Sequence, residues 1–179
     1  MLKKVNRNIG ILWKIRNSLN ESAKLLLYYA LIHSHLHYGN CVWGIGSRSE
    51  MRPLISAQKK VIRIISNSHY HAHTSPLFKN VSILKIGDIN NLATAKFVHS
   101  QLNSLSPIVQ YVPGRNVHNY STRSAILLRP ARHNVAVTKK FIFKRGCHIW
   151  NNLPEDFKNI QNVVSFKIKA KKFYLNRYV

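Results

Sequence analysis

The sequence predicts a mainly α-helical protein, in which a helical first region is followed by a smaller, loop-rich α+β region. Apolar residues recur at helical spacing through most of residues 1–106. Prolines and a glycine interrupt this pattern within residues 107–114. At 45% hydrophobic residues, the chain of 179 residues can bury a sizeable core. We therefore predict two regions, 1–106 and 107–179, with the second rich in basic residues and ending in a helix.

The first region begins with two predicted helices. The first covers residues 5–19 and places Trp13 among its apolar residues. Asn20 can cap the start of the second helix, and Gly39 can end it. The middle of this second helix, residues 25–32, is apolar on every side, so we expect it to be buried on most sides.

Residues 49–67 predict an amphipathic helix with one apolar side and one basic side. The apolar side consists of Leu54, Ala57, Val61, Ile64 and Ile65. The opposite side carries Arg52, Lys59, Lys60 and Arg63. No acidic residue on that side offsets these charges, so we predict contacts with nucleic-acid phosphates. The alternative is a basic face that is only solvated.

Later elements are marked by residues that commonly begin helices. Thr74 or Ser75 can cap a short helix, and Asp88 can cap the helix that follows. A short strand is predicted at residues 126–128, and Ser165 can cap an amphipathic C-terminal helix.

The charge balance indicates a polyanionic partner. Lys and Arg total 28 against five Asp and Glu, which gives a net charge of +23. RNA and DNA relieve such self-repulsion best, and an anionic membrane surface is the weaker alternative. The sequence contains no run of about 18 apolar residues that would span a membrane. Cys41 and Cys147 lie far apart, which fits a reducing, nuclear or cytoplasmic location.

Few residues could support catalysis. Two-metal nucleotidyl transfer needs carboxylates that converge on metal ions about 4 Å apart. Glu155 and Asp156 are neighbours after a proline, which is typical of a helix N-terminus. Cys147 and His148 are adjacent on one element, so their side chains diverge. We predict that this chain alone is not an enzyme.

Two runs of alternate histidines raise the alternative of a zinc-dependent enzyme. The runs are His33, His35 and His37, and His69, His71 and His73. Zinc requires three or four convergent ligands, and neither a Cys pair nor an acid lies nearby at ligand spacing. We therefore predict no metal and no cofactor in this chain.

A second group of candidate nucleic-acid ligands lies after residue 114. His118, Tyr120 and Arg123 offer phosphate donors and a ring that can stack on a base. The alternative is a polar network that satisfies backbone groups. Further basic candidates follow at Arg129, Arg132, Lys139 and Lys140.

Six stretches along the chain carry a family resemblance. In order, they are LHYGNCVWG, LISAQKKVIRII, AHTSPLF, VSILKIGDINNLATAKFVH, HNYSTR and RGCHIWNNLPEDFK. Together they resemble the C-terminal part of reverse transcriptases from LINE-type (non-LTR) retrotransposons, and the jockey-like branch most of all. His73 in AHTSPLF matches the family pattern, whereas His71, just before this stretch, lies where the family often has a basic residue.

The resemblance implies a thumb over residues 1–106, which grips template–primer, and a post-thumb segment over 107–179. The parent protein would be an RNA-directed DNA polymerase whose palm binds Mg²⁺ through an Ala-Asp-Asp motif, and that motif does not occur here. We therefore expect a non-catalytic fragment that binds nucleic acid and partners the missing palm and fingers. The alternative is a stand-alone basic RNA-binding protein.

Overall fold

The computed structural model describes residues 1–44, 46–108, 111–114, 127–129 and 142–178. The described chain is mainly helical with one small two-stranded sheet, which confirms the predicted fold class at that level. Contacts within the chain define two units. The first comprises Met1–Asn90 with Lys172–Val179, and the second comprises Asn91–Lys171. The predicted boundary after Ser106 stays a prediction.

The helices and strands follow one another with short connections in the described parts of the chain. The first eight elements are α1 (Leu2–Ile15), α2 (Glu21–Tyr28), a π-helical turn (Tyr29–His33), α3 (Ser34–His37), α4 (Asn40–Trp43), α5 (Arg48–Ile65), α6 (Thr74–Asn80) and α7 (Ile86–Leu102). The remaining elements are β1 (Val112–Pro113), β2 (Leu128–Arg129), α8 (Ile142–Asn151), α9 (Glu155–Lys158) and α10 (Val163–Leu175).

Side chains at the helix ends explain where several helices begin and end. Asn20 Oδ1 accepts a hydrogen bond from the Ala23 N–H at 2.8 Å, which confirms the predicted cap of α2. Gly39 has a φ of +60° just after α3, a conformation that glycine adopts without strain. Ser47 and Glu50 form a capping box at the start of α5, since each side chain bonds the other residue's backbone N–H.

Three predicted caps are wrong because their helices begin earlier. Helix α6 begins at Thr74, so neither Thr74 nor Ser75 precedes it. Helix α7 begins at Ile86, so Asp88 lies inside its first turn. Helix α10 begins at Val163, and the cap is Asn162, whose Oδ1 accepts from the N–H groups of Val164 and Ser165 at 2.8 and 3.2 Å. An acceptor directly before the first turn is better placed than Ser165 to satisfy these free donors.

The second helix is buried on one side, not on most sides as predicted. Tyr28 and Ile32 are buried, whereas Leu26 is 72% exposed and Tyr29 is also exposed. The prediction failed because a segment that is apolar all round carries no periodicity to show which side packs. Trp13 is likewise exposed, although its neighbours Ile9 and Leu12 on α1 are buried.

The core of the first unit contains a buried polar side chain, Gln58, whose amide is hydrogen-bonded to its neighbours. The predicted apolar side of α5 is buried, as are Phe78, Ile83 and Ile86. Gln58 is buried beside them, and its Nε2 donates to the Leu84 carbonyl at 2.9 Å while its Oε1 accepts from the Ile86 N–H at 2.9 Å. Gln58 therefore joins α5 to the start of α7 without leaving a buried polar atom unpaired.

The core of the second unit is aromatic. His99 stacks on Phe166 with ring centroids 4.5 Å apart, and Trp150 stacks on the same ring at 5.8 Å. The sheet pairs β1 and β2 in antiparallel fashion, with Val112 opposite Arg129. Asn151 holds β2 against α8 through two hydrogen bonds to the Leu128 backbone, at 3.0 and 2.9 Å.

Among the described helices, none is both long and apolar enough to cross a lipid bilayer.

Candidate nucleic-acid interface

A groove of about 1070 Å³ opens in the first unit, between helices α1, α2 and α5 and the turn that follows α5. Four cationic and two aromatic side chains line it: Arg16, Lys24, Lys60, Arg63, Trp13 and Tyr70. Among the described residues that line the groove, none is acidic. A recess with charges of one sign concentrates the electrostatic potential, so the groove attracts anions.

One rim of the groove carries a paired arginine and tryptophan. The guanidinium carbon of Arg16 lies 3.5 Å from the centroid of the Trp13 ring, and Arg16 Nη1 donates to the Trp13 carbonyl at 2.7 Å. The cation–π contact and the hydrogen bond fix both groups at the C-terminal end of α1. Trp13 remains 54% exposed, so the pair presents a flat, positively charged surface to the groove.

The groove also contains a buried lysine. Lys24 on α2 is 1% exposed, and its Nζ donates to Asn67 Oδ1 at 2.6 Å. Asn67 follows α5 and has a φ of +48°, a left-handed conformation that asparagine tolerates better than most residues. An ammonium group has three donors, so Lys24 retains capacity for an anionic ligand beyond this bond.

The basic side of α5 divides into two parts. Lys60 is exposed and lines the groove, and Arg63 lines it while half-buried. Arg63 Nε also donates to the Ala72 carbonyl at 3.1 Å, so this arginine holds the turn after α5 as well. Arg52 and Lys59 are exposed on the same helix but lie outside the residues that line the groove.

Most candidates of the second basic group fall outside the described residues. These are His118, Tyr120, Arg123, Arg132, Lys139 and Lys140. Arg129 is described, and it is half-buried on β2 opposite Val112.

Four of the six histidines in the two runs form pairs. The rings of His33 and His37 lie 5.7 Å apart on one side of the helix, and those of His69 and His71 lie 5.5 Å apart in the turn after α5. Within the part of the chain that the structure describes, no three His, Cys, Asp or Glu side chains are grouped to hold a metal ion. Pairs alone do not meet the three or four ligands that zinc needs.

Burial makes Cys147 a poor nucleophile. The thiol lies in the core of the second unit, and desolvation raises the pKa of Cys147 to about 11. His148 is exposed on the same helix. These positions argue against a Cys–His catalytic pair.

The hydrogen bonds of the Tyr178 side chain were not predicted from the sequence. The Tyr178 hydroxyl donates to Asp88 Oδ2 at 2.6 Å and accepts from the Lys85 N–H at 2.8 Å. Burial, and then the bond to Asp88, raise the pKa of Tyr178 above its ordinary value. A single tyrosine after the last helix produces no periodic pattern, so no sequence signal pointed to this contact.

The groove as a whole was not predicted either. Lys60 and Arg63 were predicted as phosphate ligands, but Trp13 was assigned to an apolar helix face and Arg16 and Lys24 were not singled out. The signal that could have found them is the shortage of acids, since every basic residue near α5 adds to an uncompensated charge.

Comparison with known proteins supports a distant relation to a retrotransposon reverse transcriptase. The RNA-directed DNA polymerase from the mobile element jockey of Drosophila melanogaster is 25% identical to the chain over 120 residues. The aligned part covers 66% of this chain but only 13% of that polymerase. No protein-family model matches the chain, and no solved structure matches it significantly.

Proposed function

We propose that this chain is the thumb and post-thumb portion of a non-LTR retrotransposon reverse transcriptase of the jockey-like branch. In this proposal it binds the RNA and DNA of the template–primer through backbone phosphates and does not itself catalyse. The ordered motifs and the distant similarity to the jockey polymerase support the family. The whole parent protein would carry out RNA-directed DNA synthesis.

The observation that carries the proposal is the cationic groove, whose charges no acid among the described lining residues offsets. Three of the five acids of the chain have other contacts. Glu50 belongs to the capping box, Asp88 accepts from Tyr178, and Glu155 pairs with Lys158 at 2.7 Å. None of these three contacts involves a cation of the groove, which leaves the groove suited to phosphate, and phosphate binding releases condensed counterions from the nucleic acid.

The proposal assigns other tasks to the rest of the parent. Palm carboxylates outside this chain would hold Mg²⁺ and perform the chemistry. The palm and fingers would contact this chain, and the exposed apolar Leu26 and Tyr29 on the helix from α2 to α3 suit such a contact. A nuclear or cytoplasmic location fits these nucleic-acid partners.

Binding to an RNA–DNA hybrid across a range of salt concentrations tests the proposal. We expect the Lys59→Ala/Lys60→Ala/Arg63→Ala variant to bind more weakly, with the log–log salt slope reduced by about 0.9 for each phosphate that is no longer neutralised. The Lys59→Ala/Lys60→Ala variant separates charge from folding, because it keeps the bond from Arg63 to Ala72.

A matched control removes the same charge elsewhere. Lys79, Lys167 and Lys172 are exposed and do not line the groove, so their triple alanine variant should keep most of the salt slope. Equal effects of the two triple variants would mean that only total charge matters, which contradicts the proposal.

The alternative is a stand-alone basic RNA-binding protein, and the genomic sequence upstream of the chain distinguishes the two. An upstream reading frame that encodes an Asp-Asp palm supports the proposal. A promoter and start site directly before this chain, without such a frame, supports the alternative.

A further inference from the structure

We propose that the groove receives an unpaired nucleotide of a single RNA or DNA strand, with its base against Trp13 and its phosphate toward Lys24. This inference rests on the proposed function, because it assigns a specific ligand to the same groove. It goes beyond phosphate contact by a duplex, since it requires a strand whose base is free to stack.

Trp13 supplies the surface for the base. Arg16 lies over the indole ring at 3.5 Å, yet more than half of Trp13 remains accessible. Aromatic rings that are exposed beside cations stack on bases of any sequence, because every base has a flat π face. A paired base is already stacked within its duplex, so a base can reach Trp13 only when it is unpaired.

Lys24 supplies the contact for the phosphate. Its ammonium group is almost fully buried but belongs to the lining of the groove, with Asn67 Oδ1 as its acceptor among the described residues. A buried cation costs free energy unless a partner of opposite charge compensates it. The phosphate of a flexible single strand can enter the recess. The phosphates of a duplex lie on the surface of a wide, stiff helix and cannot enter it in the same way.

The remaining lining suits a nucleotide better than a lipid headgroup. Asn6, Asn17 and Asn67 line the groove, and amides offer both donors and acceptors to base edges. The volume of about 1070 Å³ is large enough for a small organic ligand. An extended membrane surface would meet outward-facing cations, and it could not reach the nearly buried Lys24.

The inference is tested by fluorescence anisotropy with the full chain and three labelled ligands: oligo(U) RNA, oligo(dT) DNA and a blunt RNA–DNA hybrid. We expect Trp13→Leu to weaken binding of both single strands about tenfold, and to change hybrid binding less than about twofold, because phosphate contacts dominate there. Trp13→Phe keeps a ring and should restore most of the single-strand affinity. Tyr38→Leu is the matched control, because Tyr38 is 84% exposed and does not line the groove.

The outcomes separate this inference from the proposed function. Unchanged single-strand affinity in a folded Trp13→Leu variant overturns the inference, while loss of hybrid binding in the α5 variants would still support the proposed function. Binding of single strands without any binding of the hybrid overturns the duplex role and supports the inference. If Trp13→Leu reduces binding to vesicles of anionic phospholipid as much as binding to the strands, the groove is a membrane contact and the inference is overturned.

Discussion

The Lys24 ammonium on α2 donates a 2.6 Å hydrogen bond to the Asn67 side chain beyond the end of α5, and Lys24 is only 1% exposed. A lysine is rarely so buried, because removing its charge from water is unfavourable. Its partner is a neutral amide, which compensates a charge less well than a carboxylate would. Under the proposed function, Lys24 would serve nucleic-acid binding at a cost in stability.

Replacement of Lys24 by methionine should therefore separate stability from binding. Lys24→Met keeps the length of the side chain and removes the buried charge. We expect the free energy of unfolding in urea to stay within about 1 kcal/mol of the wild-type value or to rise. Nucleic-acid affinity should fall. A variant that loses more than about 2 kcal/mol of stability, yet binds as the wild type does, would assign Lys24 a structural role instead.

The left-handed backbone of Asn67 predicts different effects for two small substitutions. At a φ of +48°, Asn67→Gly relieves backbone strain, whereas Asn67→Ala increases it by about 1 kcal/mol. Both variants remove the acceptor for Lys24, so any difference in their unfolding free energies reports the backbone alone. Equal stabilities would show that the turn after α5 adopts another conformation in solution.

Because the Tyr178 hydroxyl is buried, we predict that the protein loses stability at high pH. Burial raises the pKa of Tyr178 in the folded state above its ordinary value of about 10. Above pH 10 the unfolded chain releases this proton while the folded chain keeps it. The stabilisation from this group is therefore complete below pH 10 and is lost as the pH rises above it. In this range the free energy of unfolding should fall by about 1.4 kcal/mol per pH unit for each such tyrosine. Tyr28 and Tyr111 add to it in the same direction.

A Tyr178→Phe variant checks this slope in urea unfolding between pH 8 and pH 11. It should cost about 2 kcal/mol at neutral pH, since Asp88 and the Lys85 N–H lose a partner. It should also show a shallower fall of stability at high pH. Tyr38→Phe, at an exposed ring, serves as the control. An unchanged slope in Tyr178→Phe would contradict the burial of this hydroxyl beside Asp88.

Two glycines in helices predict opposite effects when replaced by alanine. A Cβ at Gly146 on α8 would lie 2.7 Å from the Tyr111 hydroxyl and 2.8 Å from Val98 Cγ2. We therefore expect Gly146→Ala to destabilise the protein by about 1–2 kcal/mol. A Cβ at Gly87 on α7 would meet nothing within 4 Å, so Gly87→Ala should stabilise by about 0.5 kcal/mol. Thermal unfolding of both variants measures the difference, and the opposite order would contradict the packing of α8.

The sequence predicted those features that depend on neighbours along one helix. The two sides of α5 followed from a clear periodicity, and Asn20 and Gly39 marked the ends of their helices through local hydrogen bonding and backbone freedom. Three start positions were misplaced because a polar residue close to a helix start, such as Thr74, Asp88 or Ser165, fits more than one register.

The groove could not be predicted because its side chains converge only through tertiary packing. Trp13, Lys24 and Lys60 come from three different helices, and Tyr70 comes from the turn after α5. The periodicity of α1 placed Trp13 on the apolar face, but the Arg16 guanidinium lies over its ring and the residue stays exposed. Periodicity reports which side of a helix is apolar, but it does not show which helices leave a recess between them.

Photocrosslinking tests most directly whether the groove binds nucleic acid. The wild-type chain would be irradiated with an oligonucleotide of 4-thiouridine, and the modified peptides would be identified by mass spectrometry. We predict adducts on Trp13 or Tyr70, which line the groove, and their disappearance when unlabelled single strand is in excess. Adducts confined to residues 107–179, with none on the peptides that line the groove, would contradict the proposed interface.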